Sequence, residues 1–196
     1  MLKTAIFTVF GFLFAAGTLS AADVYEFDTA HSSIGFTVKH LGISKVSGRF
    51  GKFSGSITLA KPESRSARVE AVIEAASVDT AVEKRDDHLR GPDFFDVKKY
   101  PEIRFVSTTV SRMKGDRFTM EGDLEMHGVT KKVTLDVEFG GKVTDPWGDE
   151  RAAFTATGTL DRKDFGIRWN KVLDSGGVMI SDEVKIILEI EAVKKK

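Results

Sequence analysis

FTMEGDLEMHGVTKKVTLDVEF, residues 118–139, puts Phe118, Met120, Gly122, Leu124 and Met126 at alternate positions, breaks at His127-Gly128, and resumes with Val133, Leu135, Val137 and Phe139. The positions between carry Glu121, Asp123, Glu125, Asp136 and Glu138. Side chains of a strand point to opposite faces in turn, so this pattern describes two strands with one dry and one wet face. A short turn containing Gly between them describes an antiparallel hairpin. The same phase recurs on both sides. Ile34, Phe36, Val38 and His40 alternate with Ser33, Gly35, Thr37 and Lys39. Phe53, Gly55, Ile57 and Leu59 follow, then Val69, Ala71, Ile73 and Ala75. Beyond the opening hairpin come Phe154, Ala156, Gly158 and Leu160, and last Val184, Ile186, Leu188 and Ile190. Lys114-Gly115-Asp116 supplies a further hairpin turn. The chain is therefore all-β and antiparallel. A sandwich and a closed barrel both fit, but one-sided polarity over about eight strands favours a barrel, whose closure also removes sticky edges.

One segment breaks the alternation. SVDTAVEKRDDHLRGPDFFDVKKYPEIRF, residues 77–105, carries Thr80 and Glu83 in capping-box spacing. That spacing predicts a short helix opening near Ala81, running through Arg85, Asp86 and His88, with the helical insert spanning about residues 81–98. Gly91-Pro92 ends it, the Gly by accepting a left-handed backbone and the Pro by lacking an N–H. Phe94, Phe95, Val97 and Tyr100 then crowd together, as expected of a segment that covers something apolar. Gly55, Ala71, Ala75, Gly122, Ala156 and Gly158 are small residues of the inward phase, which predicts a lengthwise void; small residues at tight strand bends are the competing reading. The stretch from Asp161 to Asp182 is long for a loop. It carries Arg168, Trp169 and Gly176-Gly177, and is expected to rim the pore beside or opposite Phe94-Phe95, its glycines allowing movement.

Residues 1–22 read as an export signal, with Lys3 as the charged start, an apolar run from Ala5 to Ala16, and Ser20, Ala21 and Ala22 as the cleavage site. The apolar run is about a dozen residues, short of the roughly 20 that span a bilayer. Export to a bacterial periplasm, with one domain over residues 23–196, is the expectation. There is no Cys, hence neither disulfide nor thiolate chemistry. Without Lys3 the basic count falls from 29 to 28, against 29 acidic residues. So balanced a charge does not suit a general nucleic-acid surface. Lys194, Lys195 and Lys196 form a basic end, read as a solvated tail with transient membrane-surface contact as the alternative.

Together, HSSIGFTVKHLGISKVSGRFGKFSGSI from His31, SVDT from Ser77, RDDHLRGPDFFDVKKYPEIRF from Arg85, GDLEMHGVTKKVTLDVEF from Gly122 and DPWGDERAAFTATGTLDRKDFGI from Asp145 resemble the YceI family of exported bacterial proteins. The resemblance implies a lipocalin-like antiparallel barrel that holds a polyisoprenoid, a quinone tail or polyprenyl lipid, in its pore. It implies a carrier or storage protein, with neither cofactor nor catalytic group. Burying about 20 methylenes at roughly 0.8 kcal/mol each gives about 16 kcal/mol gross. Association costs about 4–15 kcal/mol, so a long chain binds usefully where a short one does not. Phe36, Val38, Phe50, Phe53, Ile73, Phe94, Phe95, Phe105, Met120, Leu135 and Phe154 are the candidate lining. A fatty acid or fatty amide binder, an enzyme acting on a bound lipid, and a stress-related protein with a packed barrel are the rivals. A homodimer stays open.

Polar candidates are few. His40 ends an inward-phased strand, where it can meet a quinone carbonyl or a head group, act as a base, or be satisfied by a backbone carbonyl. Arg85 and His88 on the helix are candidates for an anionic head group such as a pyrophosphate; pairing of Arg85 with a nearby carboxylate competes. The four His show no metal spacing, and Gly128 alone explains the His127 turn. Asp164-Phe165-Gly166 matches a kinase motif in letters only, without its phosphate and catalytic loops. Asp86, Asp87 and His88 are helix neighbours that point apart.

Overall fold

Strand β11 (Ile180–Lys194) is where the sheet closes on itself. The computed structural model describes residues 22–59, 67–174 and 176–196. The leader reading of residues 1–22 lies, but for Ala22, outside the described residues. One edge of β11 pairs antiparallel with β10 (Glu150–Asp161). Its other edge is shared: β2 (Ser33–His40) takes the first part up to Glu189, and β1 (Asp23–Phe27) takes Ala192 to Lys194. From β1 the order continues through β4 (Phe53–Leu59), β5 (Ala67–Glu74), β7 (Glu102–Lys114), β8 (Arg117–Met126) and β9 (Val129–Thr144) back to β10. That ring is a closed antiparallel barrel of eight strands. β3 (Ser44–Phe50) pairs with β2 and, through Arg49 and Phe50, with the short β6 (Val78–Asp79).

β1–β2 and β3–β4 are thus two strands, each bent once. At the first bend Glu191 O accepts from Asp28 N–H at 2.8 Å, and Ser32 bridges the corner, its Oγ accepting from Glu191 N–H at 3.0 Å and donating to Glu191 O at 3.1 Å. Arg151 ties the same corner, donating from Nη1 to Asp28 and Glu191 and from Nε to Asp145. The expected His127-Gly128 and Gly115-Asp116 turns both form hairpins. His127 (φ 52) and Gly128 (φ 73) are both left-handed, the geometry that matches strand twist.

The helix departs from expectation in detail. α1 spans Glu83–Arg90, and its start has no side-chain cap. Thr80 and Glu83 do not form a capping box, because the backbone reverses at Ala81 (φ 62) and carries Thr80 to the other side. There the buried Asp86 carboxylate accepts from both the Thr80 N–H and the Thr80 hydroxyl. Gly91 ends the helix in an extended conformation (φ −75), not a left-handed one; the left-handed residue is Asp96 (φ 46).

The glycines, too, act otherwise than expected. A Cβ on Gly55 would lie 2.4 Å from the Phe27 ring, and one on Gly122 2.3 Å from the Phe105 ring. Leu135 covers Gly158 in the same way. These glycines seat neighbouring side chains against the sheet, so they do not themselves open the interior. Ala75 belongs to a 3-10 turn at Ala75–Ser77 and is buried in the packed core.

Candidate ligand-binding cavity

The barrel is hollow. A cavity of about 990 Å³ runs through it, at the upper end of the roughly 300–1,000 Å³ of small-molecule sites. The inward-phased side chains of every ring strand but β1 line it, with Phe27 at the end of β1 completing the wall. Ala71 and Ala156 are the small inward residues that do face the space.

The predicted lining gathers almost whole. Phe36, Val38, Phe50, Ile73, Phe105, Met120, Leu135 and Phe154 face the cavity from the strands, and Phe94 and Phe95 from the segment after α1. Phe53 does not; it packs against the core cluster at the β3–β4 bend. The rings form a chain under the helix: Phe36 to Phe50 at 5.7 Å, Phe50 to Phe95 at 5.6 Å, and Phe94 to Trp169 at 5.3 Å between centroids. Such a cluster explains the apolar crowding after Pro92.

The 161–182 stretch lies beside Phe94, at the barrel end that carries α1, called here the helical end. It is more ordered than a structureless loop. A 3-10 turn spans Arg162–Phe165, and Val172 bridges Val178. Gly176 (φ 85) sits in the tight turn between them, in the left-handed conformation that favours glycine. Arg162 is buried and fixes the stretch by donating to Ser181 O, Ile167 O and Asp182. Burial holds its pKa below the usual arginine range. His127 does more than turn: its Nδ1 lies 3.0 Å from Phe165 O and its ring stacks on Tyr100.

Polar groups reach the cavity wall mainly at the helical end: His40, Lys84, Arg85 and His88. Arg85 has no carboxylate partner among the described residues. It donates from Nε to Thr80 Oγ1 at 2.7 Å and from Nη2 to Thr80 O at 2.8 Å, and Thr80 in turn donates to Asp86. The competing carboxylate pair for Arg85 is therefore not what forms. His88 bonds Asp93 at 2.9 Å and meets the edge of Trp169 at 4.9 Å. The His40 ring makes no hydrogen bond among the described residues, so of its alternatives satisfaction by a backbone carbonyl is not what forms.

Lys142 faces the cavity from the far end, which the alternation did not anticipate. A bulge between Ala153 and Phe154 in the β9–β10 pairing shifts the phase after Phe139, turning Lys142 inward and leaving Val143 exposed. Lys142 lies 3.6 Å from Glu150, whose carboxylate also accepts from the buried Tyr25 hydroxyl. The Tyr25 bond lowers the Glu150 pKa, while burial raises that of Tyr25. Asp28, His31 and Glu191 converge nearby in a pattern that could ligate a metal, but Arg151 already places its guanidinium on two of them. Lys194, the last residue of β11, pairs with Asp23, while Lys195 and Lys196 pair with Glu26 and Asp149 on the exposed surface, so the end is solvated but tied to the barrel by ion pairs.

Sequence reading missed Lys84, Met179 and Lys142 among the lining. It also passed over Val46, although Ser44, Val46, Gly48 and Phe50 alternate as plainly as any other strand.

The profile of the YceI-like domain matches residues 25–192. The chain is 40% identical over 186 residues to the protein YceI of Escherichia coli O157:H7, covering 94% of this chain and 93% of that one. Its fold matches the crystal structure of the Campylobacter jejuni YCEI protein with a TM-score of 0.67 at 32% identity, over 86% and 96% of the two chains. A polyisoprenoid binding domain from Saccharophagus degradans, described as implicated in plant cell wall breakdown, matches with a TM-score of 0.60 over 87% and 98%; at 15% identity it speaks to the fold alone.

Proposed function

The chain belongs to the YceI-like family, and from that premise we propose that it is an exported carrier that binds and shields a polyisoprenoid chain inside its barrel. The observation that carries this is the apolar cavity running from the helical end to Lys142. A long, unbranched or methyl-branched tail fills such a tube; a compact ligand does not. The polar end of the lipid lies at the helical end, where Arg85 meets an anionic or carbonyl head group. Its guanidinium has a neutral partner in Thr80, so its charge is available to a ligand.

The polar inventory supports a binding role. Among the described residues two His rings pair with carboxylates and His127 with a carbonyl, while the His40 ring at the cavity wall bonds no hydroxyl or carboxylate with which to form a nucleophile and base pair. The leader-like residues 1–22 support delivery to the periplasm, which N-terminal sequencing of the exported protein tests. The deciding experiment is mass spectrometry of organic extracts of the protein purified from its own cells. A stoichiometric prenyl lipid or quinone is the expected result. A fatty acyl species would replace the ligand class, and no lipid together with no prenyl affinity would overturn the carrier reading.

A further inference from the structure

A water-insoluble lipid has to enter and leave the barrel through one of its ends, and the outer surface of the helical end is built for this. Leu41 and Ile43 at the β2–β3 tip, Val82 before α1, and Val172 and Val178 in the 171–179 hairpin are all exposed there. Ile43 is 87% and Val172 80% exposed, although nothing in a water-facing turn requires an aliphatic side chain. The two hairpins are joined, Leu41 N–H donating to Met179 O at 2.8 Å. His40, Val82 and Met179 carry the rim directly into the cavity wall.

Unpaired positive charge gathers beside this rim, while the exposed acids of the neighbouring helical segment, Glu83, Asp87 and Asp93, are engaged by Arg90 and His88. Lys39 and Lys45 stand directly opposite each other across β2 and β3. Like charges in that position destabilise a sheet, and among the described residues neither has a carboxylate partner. Lys84 and Lys171 flank the same opening, and Asp174 is the one acidic residue of the 171–179 hairpin. We propose that this rim docks on an anionic phospholipid bilayer, the aliphatic tips entering the interface and the lysines facing the head groups, so that the cavity opens onto the membrane. A second copy is a poorer occupant: a two-fold contact here would bring the Lys39–Lys45 pairs of both chains together. The far end also exposes Trp147 and Val143, but its terminal lysines are each neutralised by a carboxylate.

The proposal rests on the carrier reading, and the test separates the two. The full exported chain is floated with vesicles of phosphatidylcholine mixed with phosphatidylglycerol, and with phosphatidylcholine alone. Binding is expected only with the anionic mixture and falls with added salt. Lys39→Gln with Lys45→Gln lowers it about 30-fold, taking each near-surface lysine at roughly fivefold. The same variant raises Tm, since a repulsive pair is gone; a purely structural role for these lysines would not move the two readouts in opposite directions. Ile43→Ser lowers vesicle binding as well, whereas Trp147→Ser leaves it unchanged. Unaltered binding in the rim variants, loss in Trp147→Ser, or no binding by the unmodified protein overturns the proposal. Quenching of Trp169 by a short isoprenoid quinone, measured without membranes on the Trp147→Phe chain, reports on the cavity alone. Vesicle binding without quenching would uphold the rim and remove the carrier reading.

Discussion

Ala156→Phe tests the cavity at its middle. Ala156 lies on β10 between Val137 of β9 and Leu188 of β11, and its methyl group points into the lumen. A phenyl ring there takes the room of about four methylenes, each worth about 0.8 kcal/mol when buried. A chain long enough to fill the tube then loses about 3 kcal/mol, or about a hundredfold in Kd. A diprenyl quinone, which leaves spare room, loses less than about threefold on the same scale. Trp169 sits on the cavity wall and reports binding through quenching by the quinone ring, once Trp147→Phe has removed the exposed background fluorophore. Thr157→Phe places the same ring on the outer face and serves as the control. Tm of Ala156→Phe does not fall, because the ring fills space that is empty of protein. Equal affinities of octaprenyl and diprenyl quinones for this variant, unchanged from the unmodified chain, would refute the lumen as the binding site.

Three further outcomes are expected. Gly122→Ala drives a Cβ to 2.3 Å from the Phe105 ring and 2.7 Å from the Val106 carbonyl, so it destabilises by about 2 kcal/mol, read as a drop of roughly 4–8 °C in Tm; an unchanged Tm would show that Phe105 yields freely. The Arg151 hydrogen bond, helped by His31, holds the Asp28 carboxyl at about 2, below its ordinary 3.8, so its stabilisation is complete above 3.8 and is lost as pH falls toward 2. Arg151→Met is therefore less stable at neutral pH and flattens that acid slope, because protonation now relieves repulsion among Asp28, Asp145 and Glu191; an unaltered slope in thermal melts would dismiss the network. Arg85→Met weakens a prenyl pyrophosphate by about tenfold or more, the worth of a charge-assisted hydrogen bond, and leaves the matching alcohol unchanged. Equal losses for both ligands in titration calorimetry would take the head group away from Arg85.

The barrel was legible because its inward phase survives on nearly every strand. Phe118 to Met126 and Val133 to Phe139 alternate without interruption, and both hairpin turns sit where Gly predicts them. Legibility ended where backbone irregularity changes the phase. The β9–β10 bulge falls at Gly140-Gly141, with Gly141 at φ 111, and turns Lys142 inward and Val143 outward; the glycine pair was its only signal, and an alternation pattern read through it carries the wrong phase. The capping box failed for a related reason: Thr80 and Glu83 have the right spacing, but Ala81 takes a positive φ that only the packed structure imposes. Glycine roles were misread because a missing Cβ looks like empty space in a sequence. In the fold, Phe27 and Phe105 lie across Gly55 and Gly122.

The two barrel ends are held by different forces, and this gives the cavity a direction. At the far end Arg151 gathers three carboxylates and Glu150 joins Tyr25 to Lys142, so parting the strands there would separate charges that are partly desolvated. Such pairs lose most when one partner is removed, which makes that end costly to open. The helical end is covered instead by α1, Phe94, Phe95 and Trp169, whose contacts with one another and with Phe50 are largely apolar and non-directional. α1 is moored to the barrel through Arg90, which donates to Ala76 O and Val78 O, and through the Thr80 relay. An isoprenoid tail replaces aromatic contacts of that kind with equivalent ones of its own, at little change in buried area. On the carrier reading the lipid therefore passes at the helical end, and Arg90→Ala, by loosening α1, speeds both loading and release in stopped-flow quenching of Trp169 while changing Kd far less. A Kd shift without a rate change would place the exchange route elsewhere.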